Sequence, residues 1–285
     1  MGIVLGANQY GKAETRVVRI YRDTPRHEVR DLNVSTTLRG DFSAAHVDGD
    51  QSAVLPTDTQ KNTAFAYAEE VGVASPEDYA LALSGRLLEA SPAATGARVA
   101  VDEYAWDRIE VDGSGHDHAF VRRGQEVRTA VVGRTREAVA VESGFRDLVV
   151  LKSTGSQFTG FLRDEYTTLA DADDRILATS LDAAWRFRPG AAPDDWDASY
   201  LDVRGLVTST FATTYSRALQ ETLYAMGRTV LEAHDGVAEI SFSAPNKHHV
   251  LVDLAPFGLE NPGEVFHAAD RPYGLIEATV TRDDG

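Results

Sequence analysis

Apolar and polar side chains alternate along residues 16–22 (RVVRIYR) and 30–38 (RDLNVSTTL), with Thr24-Pro25-Arg26 between them. A period of two argues a half-buried strand, and a proline-bearing break between two such runs predicts a hairpin. After Pro56 the spacing becomes helical: Ala64, Phe65, Ala68 and Val71 form a stripe, and Thr57 or Asp58 stands where a side chain can cap the first amides. A second helix is predicted from Ser75 to about Ala90, because Ser75 and Asp78 have capping-box spacing and Pro76 takes the first helical position. Alternation returns over residues 98–111 and 126–141, on either side of the string DGSGHDH, which reads as a turn.

The second half has the same grammar. Strand patterns at 145–152 and 176–188 precede a long helical stretch from about 199 to 233, and strands resume at 237–242, 249–254 and 275–281. No residue-level repeat joins the halves, and no Gly/Ser- or Pro-rich linker divides them. The similar order of elements nevertheless suggests duplication. The expected fold is α+β, with two tandem units at residues 1–142 and 143–285 sharing a continuous antiparallel sheet that carries its helices on one face. Such a sheet leaves edge strands open, which predicts an oligomer.

Composition narrows the function. Of 285 residues 43% are hydrophobic, enough for a sizeable core. With 44 acidic against 28 basic residues the formal charge is −16, a sign that repels polyphosphates and excludes nucleic acid as the main partner. There is no cysteine, hence no disulfide, thiolate nucleophile, iron–sulfur cluster or Cys-type zinc site. No segment approaches the roughly 18 apolar residues of a membrane span, and the N-terminal string MGIVLGANQYGKAETRVV has no cationic start. The C-terminal string TVTRDDG is not a peroxisomal Ser-Lys-Leu tripeptide, so a cytoplasmic location is expected.

Generic motifs add little. His116 and His118 in GHDH would point to one face of a strand, but two nitrogen ligands without a third make a weak zinc site, and a structural or turn role is the better reading. His248 and His249 point to opposite sides if their segment is a strand. GxGxxG, GxxxxGK[ST] and GxSxG are all absent, which removes the usual sequence support for nucleotide cofactors and for a serine hydrolase.

Five collinear strings are more specific: YGK at 10–12, TDTQKNT at 57–63, KSTGSQFTGFLRDEYTTLADADDRIL at 152–177, LQETLYAMG at 219–227 and PNKHHVLVDL at 245–254. Together they cover nearly the whole chain and resemble the urate oxidase (uricase) family. The resemblance implies a tunnelling fold, with two units per chain and four chains stacked as a homotetramer around a tunnel. It also implies oxidation of urate by O2 to 5-hydroxyisourate and hydrogen peroxide, with no metal and no organic cofactor, at sites between subunits. Carried over by position, the catalytic residues are Lys12, Thr57 and His248. The substrate contacts are Thr57, Asp58 through its backbone, Phe158, Arg175, Leu219 through its amide, and Gln220, with Asn246 near the oxygen or water site. Leu219 departs from the smaller Val that often precedes the Gln, a change of little weight where only the amide is used.

Each implied role suits its side chain. Urate is a flat, electron-rich anion; a guanidinium can take two of its acceptors in a fork, an amide can donate and accept along the opposite edge, and Phe158 offers a face for stacking. Read alone, Arg175 would be a solvated ion pair, Phe158 core, Gln220 an exposed helix residue, Lys12 a surface cation and Thr57 a helix cap. A buried lysine can lose its charge, which suits Lys12 to accept a proton through Thr57, with His248 tuning the relay. Two other readings stay open: a metal-dependent purine or pterin enzyme of the same fold, and a non-catalytic purine-binding tetramer. The missing cysteine and absent third clustered histidine weigh against the first, and the complete Lys12, Thr57, His248 set against the second.

Overall fold

The computed structural model describes residues 2–283; the first residue of the N-terminal string and the last two of TVTRDDG, on which the terminal-tripeptide reading bears, lie outside the described residues. The chain divides into two compact units, Met1–Phe145 with Arg186–Tyr200, and Arg146–Trp185 with Leu201–Gly285.

In the first unit the predicted hairpin is β1 (Tyr10–Tyr21) antiparallel to β2 (Glu28–Gly40). Its alternation is seen as burial, with Leu32, Val34, Thr36 and Leu38 all turned inward. A short α1 (Ser43–Val47) precedes α2 (Thr57–Glu70) and α3 (Pro76–Ala90). Ser75 caps α3 as its spacing predicts, its Oγ accepting from the Asp78 amide at 3.0 Å. At α2 the expectation needs correction: Pro56 is the N-cap residue, and no side chain caps the helix, because Thr57 and Asp58 already lie within the first turn. The α2 stripe is also narrower than predicted. Gln60, Ala64 and Ala68 are buried, whereas Phe65 and Val71 are exposed.

The alternating run 98–111 is two strands, β3 (Ala94–Glu103) and β4 (Trp106–Val111), and β4 pairs with β5 (Ser114–Arg122) as a separate ribbon. GHDH therefore lies on a strand; the turn before it is made by Asp112 and Gly113, both with positive φ. The run 126–141 is likewise divided, into β6 (Val127–Thr135) and the start of β7 (Val139–Lys152), where Thr135 Oγ1 accepts from the Glu137 and Ala138 amides. Strand order in this unit is β1-β2-β3-β6, continuing into β7, with α3 packed on β3 and β6 and α2 on β1.

The second unit follows from the end of β7 through β8 (Leu177–Phe187), the body of α4 (Trp196–Thr213), α5 (Leu219–Ala233), β9 (Val237–Leu251) and β10 (Phe266–Thr281). The helical stretch 199–233 is thus two helices, and β9 absorbs two predicted strands. Leu219, Leu223, Met226 and Val230 of α5 are buried at helical spacing, and Ile240, Phe242 and Ala244 of β9 at strand spacing, with α5 packed on β9 and β10. Each of these side chains larger than alanine contributes roughly 1.5–3 kcal/mol on burial.

Charge is buried in the first unit as a closed network. Arg128 on β6, 8% exposed, donates to Glu77 at 2.7 Å and Asp197 at 2.5 Å; Arg30 on β2 donates to Glu103 at 2.7 Å and Asp197 at 2.5 Å. Burial pushes the fully buried Glu77 carboxyl above the usual range, although Arg128 and the Ser143 hydroxyl oppose the shift. Burial acts in the same direction on Asp197, but there the hydrogen bonds from Arg30 and Arg128 outweigh it and hold the carboxyl below the usual range.

Candidate functional site

Lys12 lies on β1 opposite Thr36 of β2, just before a register shift between Lys12 and Thr15. Such bulges re-aim side chains, and Glu14 inside it has φ 56°. The two strands run so close that a Cβ on Gly11 would come within 1.8 Å of the Thr36 carbonyl oxygen, so only glycine fits beside Lys12. Thr36 is itself buried. Its Oγ1 accepts from the Lys12 amide at 3.4 Å and donates to Gln60 Oε1 at 2.7 Å, while Gln60 Nε2 donates to the Leu55 carbonyl at 3.3 Å. This chain of bonds ties the Lys12 backbone to the start of α2.

Thr57 opens that helix, half-buried, and its hydroxyl makes no hydrogen bond among the described residues. It lines a cavity of about 550 Å³ with Tyr10, Phe42, His46, Val54 and Pro56. Next to it Asp58 is exposed; a hydrogen bond and ion pair from Lys61 hold its carboxyl below the usual range, with a smaller contribution from the charge of Lys12. The first unit therefore brings Lys12, Thr57 and Asp58 to one end of α2. The sequence reading missed Thr36 and Gln60. The signal for Gln60 was its place four residues before Ala64 and eight before Ala68, a polar side chain on a buried line.

In the second unit, Phe158 and Arg175 lie in residues 153–176, a loop pinned by backbone and carboxylate bonds. Phe158 and Ala172 exchange both backbone bonds, at 2.8 and 3.0 Å, and the Arg175 amide donates to the Ser156 carbonyl at 2.7 Å. Asp174, also missed, accepts from the Gly155 and Arg175 amides and from the Thr154 hydroxyl. The same loop breaks the long helix. Ser216 donates its amide to the Gly155 carbonyl and accepts from the Gln157 amide, so residues 214–218 leave the helical path to bridge the loop. Thr222 Oγ1, bonded to Ser216 Oγ at 2.8 Å within the core, fixes the entry to α5.

Leu219 and Gln220 open α5 directly after this bridge. Leu219 is buried and Gln220 exposed, with no side chain capping the helix, so its first amides stay open. The Arg175 guanidinium carbon lies 5.1 Å from the Phe158 ring centre. No carboxylate pairs with Arg175 among the described residues, its buried Nε has no partner, and burial alone pulls its pKa below the usual guanidinium value. Asn246 and His248 sit two apart on β9, hence on one face, opposite Gly274 and Ala269 of β10, where the register shifts. Asn246 is half-buried, His248 exposed and His249 on the other face. The structure thus gathers Phe158, Arg175, Leu219 and Gln220 through one bridge, while the Asn246 and His248 side chains make no hydrogen bond among the described residues.

Elsewhere, His116 and His118 on β5 have ring centres 4.5 Å apart, and His27 lies 5.9 Å from His118. Among the described residues no three His, Asp or Glu side chains are grouped to hold a metal ion. No described helix is long and apolar enough to cross a membrane.

A sequence model of the uricase family matches residues 8–133 and 141–277 of the chain, one match over each half. The chain is 54% identical over 281 residues to a uricase of Arthrobacter globiformis, covering 99% of this chain and 91% of that one. It is 37% identical to a uricase of Danio rerio, with coverage of 96% and 93%, and 34% identical to one of Aspergillus flavus, with 97% and 96%. The crystal structure of the Arthrobacter globiformis uricase is similar at a TM-score of 0.95 and 53% identity, covering 100% of this chain and 97% of that one. A uricase structure from Bacillus fastidious is similar at 0.85 and 28%, covering 98% and 95%.

Proposed function

The chain belongs to the uricase family and oxidises urate, and on that premise we propose that it does so with O2 directly, without metal or organic cofactor. Urate, O2 and water give 5-hydroxyisourate and hydrogen peroxide: urate loses two electrons, and O2 takes them with two protons. Lys12 and Thr57 withdraw the proton that makes urate a better electron donor, and His248 completes the relay. Phe158 stacks on the ring, Arg175 and Gln220 hold its opposite edges, and the Thr57, Asp58 and Leu219 backbones add polar contacts. Asn246 faces the oxygen or water position.

The observation that carries the reading is Arg175, a partly buried guanidinium with no carboxylate partner among the described residues, set beside an aromatic face. A flat anion is the ligand such a pair suits. The proposal includes a homotetramer with sites joining the first unit (residues 1–142) of one chain to the second (143–285) of another, and a cytoplasmic location. Urate loss by ultraviolet absorbance, with peroxide followed in parallel, tests the chemistry after exhaustive chelation and dialysis: unchanged turnover at one peroxide per urate is expected, and activity restored only by added metal or flavin contradicts it. Mixing Lys12→Met with Arg175→Ala chains under subunit exchange should regenerate activity if sites join two chains; mixed oligomers that stay inactive place each site within one chain.

A further inference from the structure

A phenylalanine in a loop of more than twenty residues has little to fix its ring plane, yet a stacking surface works only if that plane is set before the substrate arrives. The loop supplies the restraint as a closed circuit. Gly160, with φ 69°, turns the chain so that Phe161 returns over Phe158. Their rings stack with centres 4.9 Å apart and planes within 11°. Beyond Phe161, the Arg163 guanidinium carbon lies 4.6 Å from its ring centre. Arg163 is held at two points, donating to the Leu169 carbonyl at 3.0 Å and to Asp171 at 3.1 Å. Asp171 precedes Ala172, the residue whose backbone pairs with Phe158, so the circuit closes where it began.

We propose that Phe161 and Arg163 are positioning residues for urate: together they form the back of a stacked column whose front is Phe158, with Arg175 alongside. Phe161 stacks on one face of the Phe158 ring, and the column puts the flat anion against the other, within reach of the Arg175 guanidinium that lies 5.1 Å from the ring centre. Neither residue touches the substrate, and the inference rests on the reading of Phe158 and Arg175 as substrate contacts. Because the Arg163–Asp171 pair is exposed, its share is the smaller one.

The test is equilibrium binding of urate to the intact protein with O2 excluded, beside steady-state kinetics in air. Phe161→Ala and Phe161→Leu should weaken anaerobic binding and raise KM about 5- to 20-fold, with kcat within about twofold, while Phe161→Tyr restores the wild-type values. Leucine keeps apolar bulk without the flat face, so it answers the question even if the alanine variant fails to fold. Arg163→Gln should weaken binding about twofold to fivefold. Phe158→Ala is the control for the underlying reading. Loss of binding there with wild-type binding in Phe161→Leu overturns the column while the reading stands; wild-type binding in Phe158→Ala removes the reading itself. Equal falls in kcat and kcat/KM for the Phe161 variants would also overturn positioning.

Discussion

Arg128 and Arg175 are both guanidiniums drawn out of water, one in each unit, and they are treated in opposite ways. Both leave Nε without a partner. The Nη groups of Arg128 are occupied by Glu77, Asp197 and the more distant Glu103, whose charges together raise its pKa against the effect of burial. Arg175 has no such carboxylate among the described residues, and burial alone shifts it. A buried charge normally finds its counter-charge within the fold. The first arginine is a structural ion, then, and the second is the one proposed to hold urate.

Lys12, the first unit's cation in the proposed proton relay, gives the largest expected effect. Lys12→Met should lower kcat by about 100-fold or more while anaerobic urate binding and the urea midpoint hold, since loss of a proton-transfer group typically costs 10²–10⁴-fold. A lowered midpoint with intact kcat would make Lys12 a structural cation like Arg128. Next comes Arg128→Gln, which strands Glu77 in the core and should reduce unfolding stability by about 3–5 kcal/mol, measured by urea denaturation.

The acid range sharpens the structural side of the comparison. Asp197 has a folded-state pKa below its unfolded value, so its contribution is complete above the unfolded pKa and is lost as pH falls through the folded one. Glu77 is shifted the other way: its contribution is complete below the unfolded pKa and is lost as pH rises through the folded one. The stability cost of Asp197→Asn should therefore shrink as pH is lowered from 6 towards 3, across the ordinary carboxylate pKa of roughly 4, and that of Glu77→Gln should shrink as pH is raised. Parallel urea titrations of both variants check the opposite signs. At the small end, Arg228→Ala removes an exposed i,i+4 pair with Glu232 and should leave the urea midpoint nearly unchanged.

The reasons for this division were only partly legible in the sequence. Where one face meets a core, periodicity sufficed, as in β1, β2 and α3. It failed where tertiary bonds override the pattern. The chain between α4 and α5 contains neither Gly nor Pro, and leaves the helix because Ser216 bridges to Gly155 and Gln157, far away in sequence. Most of β10 is exposed, so only its last residues alternate enough to read as strand. Among site residues, local pattern alone would have left Phe158 in the core and Arg175 in a surface ion pair. The family resemblance assigns them to a site, and the structure adds what residue type does not carry: Asp174 bonds backbone amides and the Thr154 hydroxyl, and among the described residues no carboxylate pairs with Arg175. Gln60 was legible as a polar residue on a buried line, but its partner Thr36 depends on strand register.

The most direct test of the contrast is Arg175→Gln, measured twice on the same preparation, by anaerobic urate titration and by urea unfolding. The account predicts urate affinity lowered about 10- to 100-fold, as expected for removing a charge-assisted fork to an anion, with the unfolding midpoint unchanged or raised. Wild-type affinity, or a midpoint lowered as far as in Arg128→Gln, would contradict it.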